Sequence, residues 1–138
     1  MKAAFLARLP ALAQLKVAVE RAAKDKGTLR SLDGAPMKVR SQHSALNTLL
    51  QGAGALVMKK ALIELDYSLR VLKRLVPGRD YEFVANIHDE WQIECVGEYG
   101  DLIGEQAVKA IRIAGTALKM RCPLAGEYKT GRNWAETH

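Results

Sequence analysis

Cysteine is scarce in this chain. The two present, Cys95 and Cys122, stand far apart and in apolar surroundings. That argues against a disulfide framework or a cysteine-ligated metal, and for two reduced core thiols. Long hydrophobic runs are missing as well: none approaches the roughly 18–20 residues of a membrane span. The opening Met1-Lys2-Ala3-Ala4-Phe5-Leu6-Ala7-Arg8 is broken by charge too early for a secretory signal. The sequence shows no internal repeat, low-complexity tract or interdomain linker, nor the regular alternation of strands and helices that builds a parallel sheet. What is present is ordinary for a globular domain: 138 residues, 49% hydrophobic and 26% charged, enough for one modest core.

Charge is divided unevenly. Residues 1–80 hold 15 Lys or Arg against 6 acids, and residues 81–138 hold 6 against 9. A basic half beside an acidic one suits a polyanion held near a metal site; a basic, solvated helix face is the plainer reading.

Along the chain, Leu6, Leu9, Leu12, Leu15, Val19 and Ala22 recur at helical spacing, predicting a helix from Phe5 to Lys26. Pro10 can start its main part and Gly27 can stop it. Thr28-Leu29 and Met37-Lys38-Val39 read as small strands flanking an Asp33-Gly34 turn. Ser41 is a candidate N-cap for the longest helix, which runs to about Leu75 and stops at Val76-Pro77-Gly78. Leu46, Leu49, Leu50, Ala53, Val57 and Ala61 form its apolar stripe. His43, Asn47 and Gln51 form a polar row beside it, four residues apart, which is either a solvated face or a contact surface. Gly52 and Gly54 each cost that helix about 1 kcal/mol relative to alanine, which predicts a close approach to its backbone, with helix–helix packing preferred. Two short β-rich runs, Phe83–Ile87 and Trp91–Val96, then predict a hairpin with His88, Asp89 and Glu90 at its tip. Carboxylates there fit an ordinary polar turn or a divalent cation. Glu98–Met120 reads as an amphipathic helix with Ile103, Ala107, Ile111, Ala114 and Leu118 on one face, Arg121–Tyr128 as a last strand, and the end as an irregular tail. The order predicts an α+β fold, long helices packed on a small antiparallel sheet.

Several of these stretches together resemble one family. Arg40-Ser41-Gln42-His43-Ser44-Ala45-Leu46-Asn47-Thr48-Leu49-Leu50-Gln51-Gly52-Ala53-Gly54-Ala55 is similar to the long palm helix of family A DNA polymerases, most of all their phage branch. Ile87-His88-Asp89-Glu90 resembles motif C of that family. Gly131-Arg132-Asn133-Trp134 and the terminal His138 resemble its C-terminus, and Leu9-Pro10 with Gly27–Gly34 its passage from fingers to palm. Ala35-Pro36 departs from the basic residues usual there.

The resemblance implies the C-terminal part of a polymerase palm with a remnant of the fingers, residues 1–27 closing the fingers and 28–138 belonging to the palm. It implies template-directed nucleotidyl transfer in DNA replication, with two Mg2+ ions in the complete enzyme and primer–template DNA and deoxynucleoside triphosphates as partners. It also implies a cytoplasmic setting in a phage-infected or bacterial cell, without a membrane. Asp89 becomes the metal ligand, Glu90 its neighbour near the primer end, and His88 an orienting or primer-contacting group. His43, Asn47 and Gln51 become the row that follows the minor groove, and Lys38 and Arg40 phosphate contacts. Motifs A and B, which bring a second metal-binding aspartate and the nucleotide-binding helix, are expected upstream and are not in these residues. Asp66-Tyr67-Ser68 echoes motif A but lies in a helical pattern and after the palm helix. The expectation is a chain inactive alone and completed by a further N-terminal portion; a catalytically inactive duplex-binding remnant is the alternative.

Overall fold

The computed structural model describes residues 7–137. The expectations placed on Phe5, Leu6 and His138 lie outside the described residues. The chain forms two compact units, residues 1–53 and 54–138.

In the first unit, helix α1 (Pro10–Lys26) begins with proline at its first turn and ends at Gly27. Gly27 has a φ of 64°, and its N–H bonds to Ala23 O at 2.9 Å, a left-handed stop that glycine enters without a Cβ penalty. Strands β1 (Thr28–Arg30) and β2 (Pro36–Lys38) pair antiparallel, Leu29 opposite Met37. The turn between them is held by Asp33, whose carboxylate accepts from Ser31 Oγ and from Ala35 N. Those two bonds, the hydroxyl's first, hold its carboxyl below the ordinary aspartate range. Val19, Ala23, Leu29 and Ala45 form a small core, with Met37, Val39 and Leu49 against it. A hairpin of three-residue strands covers only the C-terminal half of α1. Leu9 and Leu15, expected in the apolar stripe, are accordingly exposed, while Ala22, as expected, packs against the core beside the buried Ala23.

Ser41 caps a 3-10 turn (Gln42–Ser44), its side chain accepting from Ser44 N, and helix α2 (Ala45–Tyr67) starts after that turn, three residues later than a helical N-cap at Ser41 predicts. The glycines of α2 divide. A Cβ on Gly52 would come 2.6 Å from Met37 Sδ, whereas one on Gly54 would meet nothing within 4 Å. The close approach at Gly52 is therefore to the β1–β2 hairpin, not to another helix.

In the second unit, Val57 and Ala61, both in the stripe read from the sequence, are buried, and Leu65 and Leu69 continue it at the same four-residue spacing; Leu50 is exposed. After Tyr67 the helix widens into a π turn (Ser68–Leu72) that closes with Lys73 N to Ser68 O, 2.9 Å. Ser68 Oγ lies 2.8 Å from Gln106 Oε1 on helix α3 (Gly100–Ala117), tying the two helices together. Strands β3 (Tyr81–Ile87) and β4 (Glu90–Cys95) form the predicted hairpin. Ala61, Leu65, Leu69, Leu75, Tyr81, Ile103, Ala110 and Ala114 make one core, on which Phe83, Trp91, Ile93 and Cys95 pack. Residues 76–80, which lead into β3, are braced by Asp80: its carboxylate accepts from Val76 N and, through two bonds, from the Arg79 guanidinium. Its carbonyl accepts from Val96 N, closing the hairpin's open end.

Residues 121–128 do not form the expected strand. They lie against α3, antiparallel to it, with Leu124 over Gly115, Gly126 against Ile111 and Tyr128 over Gly104. Pro123 lacks the N–H a sheet would use, and helix glycines leave room for these side chains. Cys122 is exposed, not a core thiol, while burial raises the pKa of Cys95. The tail is less irregular than expected. Trp134–Thr137 forms a helical turn, α4, whose Asn133 and Glu136 bond reciprocally, the logic of a capping box.

Two outcomes follow from this packing. A Cβ at Gly104 would overlap the Tyr128 ring, so Gly104→Ala lowers stability by about 1–3 kcal/mol, while Gly54→Ala, meeting open space, raises it by up to about 1 kcal/mol. Denaturant melts decide, and a Gly104→Ala protein as stable as the parent would contradict the packing of residues 121–128. The second outcome concerns Asp80, whose carboxyl is held below its ordinary value of 3.8 first by Arg79 and then by Val76 N–H. A depressed folded-state pKa gives stability that is full above the ordinary value and is lost as pH falls through the folded one. Asp80→Asn therefore melts below the parent at pH 7, and the gap narrows below about pH 4; a gap independent of pH would refute this.

Candidate active-site hairpin and nucleic-acid face

The β3–β4 turn has two residues, His88 and Asp89, with Ile87 opposite Glu90. Glu90 is thus the first residue of β4 and not part of the tip. His88 has a φ of 52°, the left-handed backbone that a two-residue hairpin turn demands and that histidine enters more readily than most residues. His88 and Asp89 are exposed and Glu90 is half-buried.

A bulge decides which way Glu90 faces. Phe83 pairs with Ile93, but Ala85 pairs with Gln92, so Val84 is the extra residue. A one-residue shift exchanges the faces of a strand relative to its partner. Beyond the bulge, Trp91 pairs with Asn86, and Glu90 and Gln92 share a face with Ile87 and Ala85. Gln92 Nε2 donates to Glu90 Oε1 at 3.1 Å, steadying the carboxylate from two residues along the strand. Period-two spacing could have singled out Gln92; the bulge has no comparable signal in the residue types. Nearer the core, Tyr81 and Phe83 stack edge to face with centroids 5.5 Å apart. Burial, and then Asp66, raise the pKa of Tyr81, whose hydroxyl lies 3.5 Å from Asp66 Oδ1. Asp66 itself sits in α2 and pairs with Arg70, a helical role.

Trp91 Nε1 is buried with no hydrogen-bond partner among the described residues. Beside it is a cavity of about 180 Å³ lined by Leu62, Phe83, Val84, Ala85, Asn86 and Trp91.

For a divalent cation, the donors present fit in kind: Asp89 and Glu90 offer hard carboxylate oxygens. They fall short in number, since no group of three His, Cys, Asp or Glu among the described residues is placed to hold a metal ion.

The other sequence-predicted residues belong to the first unit. Asn47 and Gln51 are exposed on one face of α2, a turn apart, and His43 is exposed in the preceding 3-10 turn. Lys38, at the end of β2 opposite Thr28, and Arg40 are exposed as well. No helix among the described residues is long and apolar enough to cross a membrane.

Comparison with known proteins gives this arrangement a family. The family model described as DNA polymerase family A matches residues 3–136. The DNA-directed DNA polymerases of Enterobacteria phage T3 and Escherichia phage T7 are each 36% identical to the chain over 155 residues, covering all of it and 22% of the relative. DNA polymerase I of Pseudomonas aeruginosa is 33% identical over 111 residues, covering 80% of the chain and 11% of the relative. The chain thus spans about a fifth of the length of the phage relatives it matches. Among solved structures, the POL domain of Pol1 from M. smegmatis, in complex with DNA primer-template and dNTP, superposes with a TM-score of 0.67 at 17% identity, over 80% of this chain and 21% of that one, which supports the α+β fold. With the family model spanning nearly every residue from the first helix to the capped tail, the chain belongs to DNA polymerase family A.

Proposed function

We propose that this chain carries half of the catalytic centre, and part of the DNA-tracking surface, of a template-directed DNA-directed DNA polymerase. The observation that carries the reading is the two-residue turn that presents Asp89 outward beside Glu90, in a chain matched along its length by family A polymerases. Residues 1–27 close the fingers and 28–138 belong to the palm. The reaction joins a primer 3′-hydroxyl to the α-phosphorus of a deoxynucleoside triphosphate: an O–P bond forms and pyrophosphate leaves.

Asp89 is the carboxylate that holds a divalent ion. Glu90, oriented by Gln92, supports the primer end, and His88 holds the turn or meets the primer strand. Bound divalent ions, two Mg2+ in the complete enzyme, supply charge stabilisation at the attacking and leaving oxygens. Asp89 cannot hold two ions alone, so a second carboxylate and the nucleotide-binding helix come from polypeptide beyond these residues. The buried, partnerless Trp91 Nε1 and the cavity beside it support that view, for both are features that further polypeptide would fill.

On the DNA side, the minor groove offers acceptors at equivalent positions for every correct pair. The amides of Asn47 and Gln51 and the imidazole of His43 can sense pair shape there without reading sequence. Lys38 and Arg40 meet phosphates, which fix register and orientation.

The expected outcome is no primer extension by the purified 138-residue chain, extension when it is mixed with a polypeptide carrying the upstream motifs of a phage relative, and none when the same mixture contains Asp89→Ala. Asn47→Ala with Gln51→Ala leaves chemistry possible but slows extension about tenfold or more, the loss of one to two hydrogen bonds. Extension by the chain alone would contradict the missing-carboxylate argument. Activity that survives Asp89→Ala would refute the assignment of the turn. A mixture that binds primer–template but never extends it would favour the inactive remnant.

A further inference from the structure

The second half of α2 and the π turn that follows it are apolar on two sides, and the fold covers only one. Ala61, Leu65 and Leu69 face the core and are fully buried. Ile63, Tyr67 and Val71, also spaced by four, are 65%, 53% and 54% exposed, with Leu72 beside them at 61%. An apolar stripe of this kind on a soluble surface marks an interaction site. Cations stand at both of its ends: Lys59 one turn before Ile63, and Arg70, Lys73 and Arg74 after Tyr67. Arg70 reaches Asp66 at 3.5 Å, with both side chains largely in solvent, a pairing that contributes little. Lys59, Lys73 and Arg74 make no salt bridge among the described residues.

We propose that the Ile63–Tyr67–Val71 stripe docks an acidic amphipathic helix of another polypeptide. The stripe is about 12 Å long, two turns of helix, and fits apolar anchors at i and i+3 or i+4 on a partner, the usual helix-on-helix pattern. Like charge at both ends opposes a second copy: whether two stripes met parallel or antiparallel, cation would face cation. Nucleic acid fits poorly, because the centre of the stripe offers four aliphatic or phenolic side chains where phosphates need donors. Glu64 and Asp66, which border the stripe, are paired with Lys60 and Arg70, so the charge left for a partner is that of Lys59, Lys73 and Arg74. A helix with acidic flanks satisfies both the apolar centre and the cationic ends. The proposal is independent of the polymerase chemistry, since none of these residues is placed at the hairpin tip or on the DNA-tracking row.

The test titrates the isotope-labelled full chain with a synthetic peptide of about four turns, with leucines at i, i+4 and i+7 and glutamates flanking them. A peptide of the same composition in permuted order is the control. The expected result is saturable amide shifts confined to residues 59–74. Tyr67→Asp, and separately Lys73→Glu with Arg74→Glu, weaken binding about tenfold or more, a loss of 1.4 kcal/mol. These side chains are exposed, and the charge-reversal pair keeps the test valid should Tyr67→Asp disturb the helix. Equal binding of the permuted peptide, or binding unchanged by the variants, overturns the proposal. So does binding of phosphatidylserine vesicles or duplex DNA at residues 59–74 with none of the ordered peptide.

Discussion

The fully buried pair Leu65 and Leu69 is the contact on which the hairpin depends. Two strands alone are marginal in water, and β3–β4 is a two-stranded sheet. It persists because Tyr81, Phe83, Trp91, Ile93 and Cys95 lie over the core that those two leucines share with Ile103, Ala110 and Ala114. Asp80 closes the hairpin at one end, through Val76 and Val96. At the other end the chain turns in two residues and leaves Asp89 in solvent. A firm base and a short tip are what a carboxylate needs in order to be held in place with little conformational freedom.

The same arrangement exposes what the chain does not provide. Donors of the right kind sit at the tip and beside it, Asp89 and Glu90, but among the described residues they are too few to hold a metal ion. A buried indole N–H lacks an acceptor, and a cavity opens beside it. The phage relatives are more than four times as long as the matched part, and on the reading proposed above further polypeptide would supply what the hairpin lacks.

Much of this was legible in the residue types. Pro10, Gly27, the Asp33-Gly34 turn and the β-rich runs around His88-Asp89 announce local structure through fixed φ, left-handed backbone and period-two patterning, and each expectation matches the fold. The polar positions of α2 were legible from spacing alone. Other features rest on tertiary context. The strand expected at residues 121–128 gave way because Gly104 and Gly115 leave room on α3 for Tyr128 and Leu124, so that segment packs on a helix instead of pairing. The bulge at Val84, which turns Glu90 toward Gln92, depends on cross-strand register, and register is invisible in one strand read by itself. The exposed stripe at Ile63, Tyr67 and Val71 did not stand out in the sequence, because helical periodicity cannot say which of two apolar faces is covered.

On the reading proposed above, residues of β2 and α2 track DNA while the β3–β4 turn offers a carboxylate. That reading is tested most directly by amide shifts of the labelled chain on addition of primer–template DNA at rising salt. The expected shifts fall at Lys38, Arg40, His43, Asn47 and Gln51 and fade as salt rises, because phosphate contacts release counterions. Binding indifferent to salt, or shifts that leave those five residues untouched, would contradict that reading.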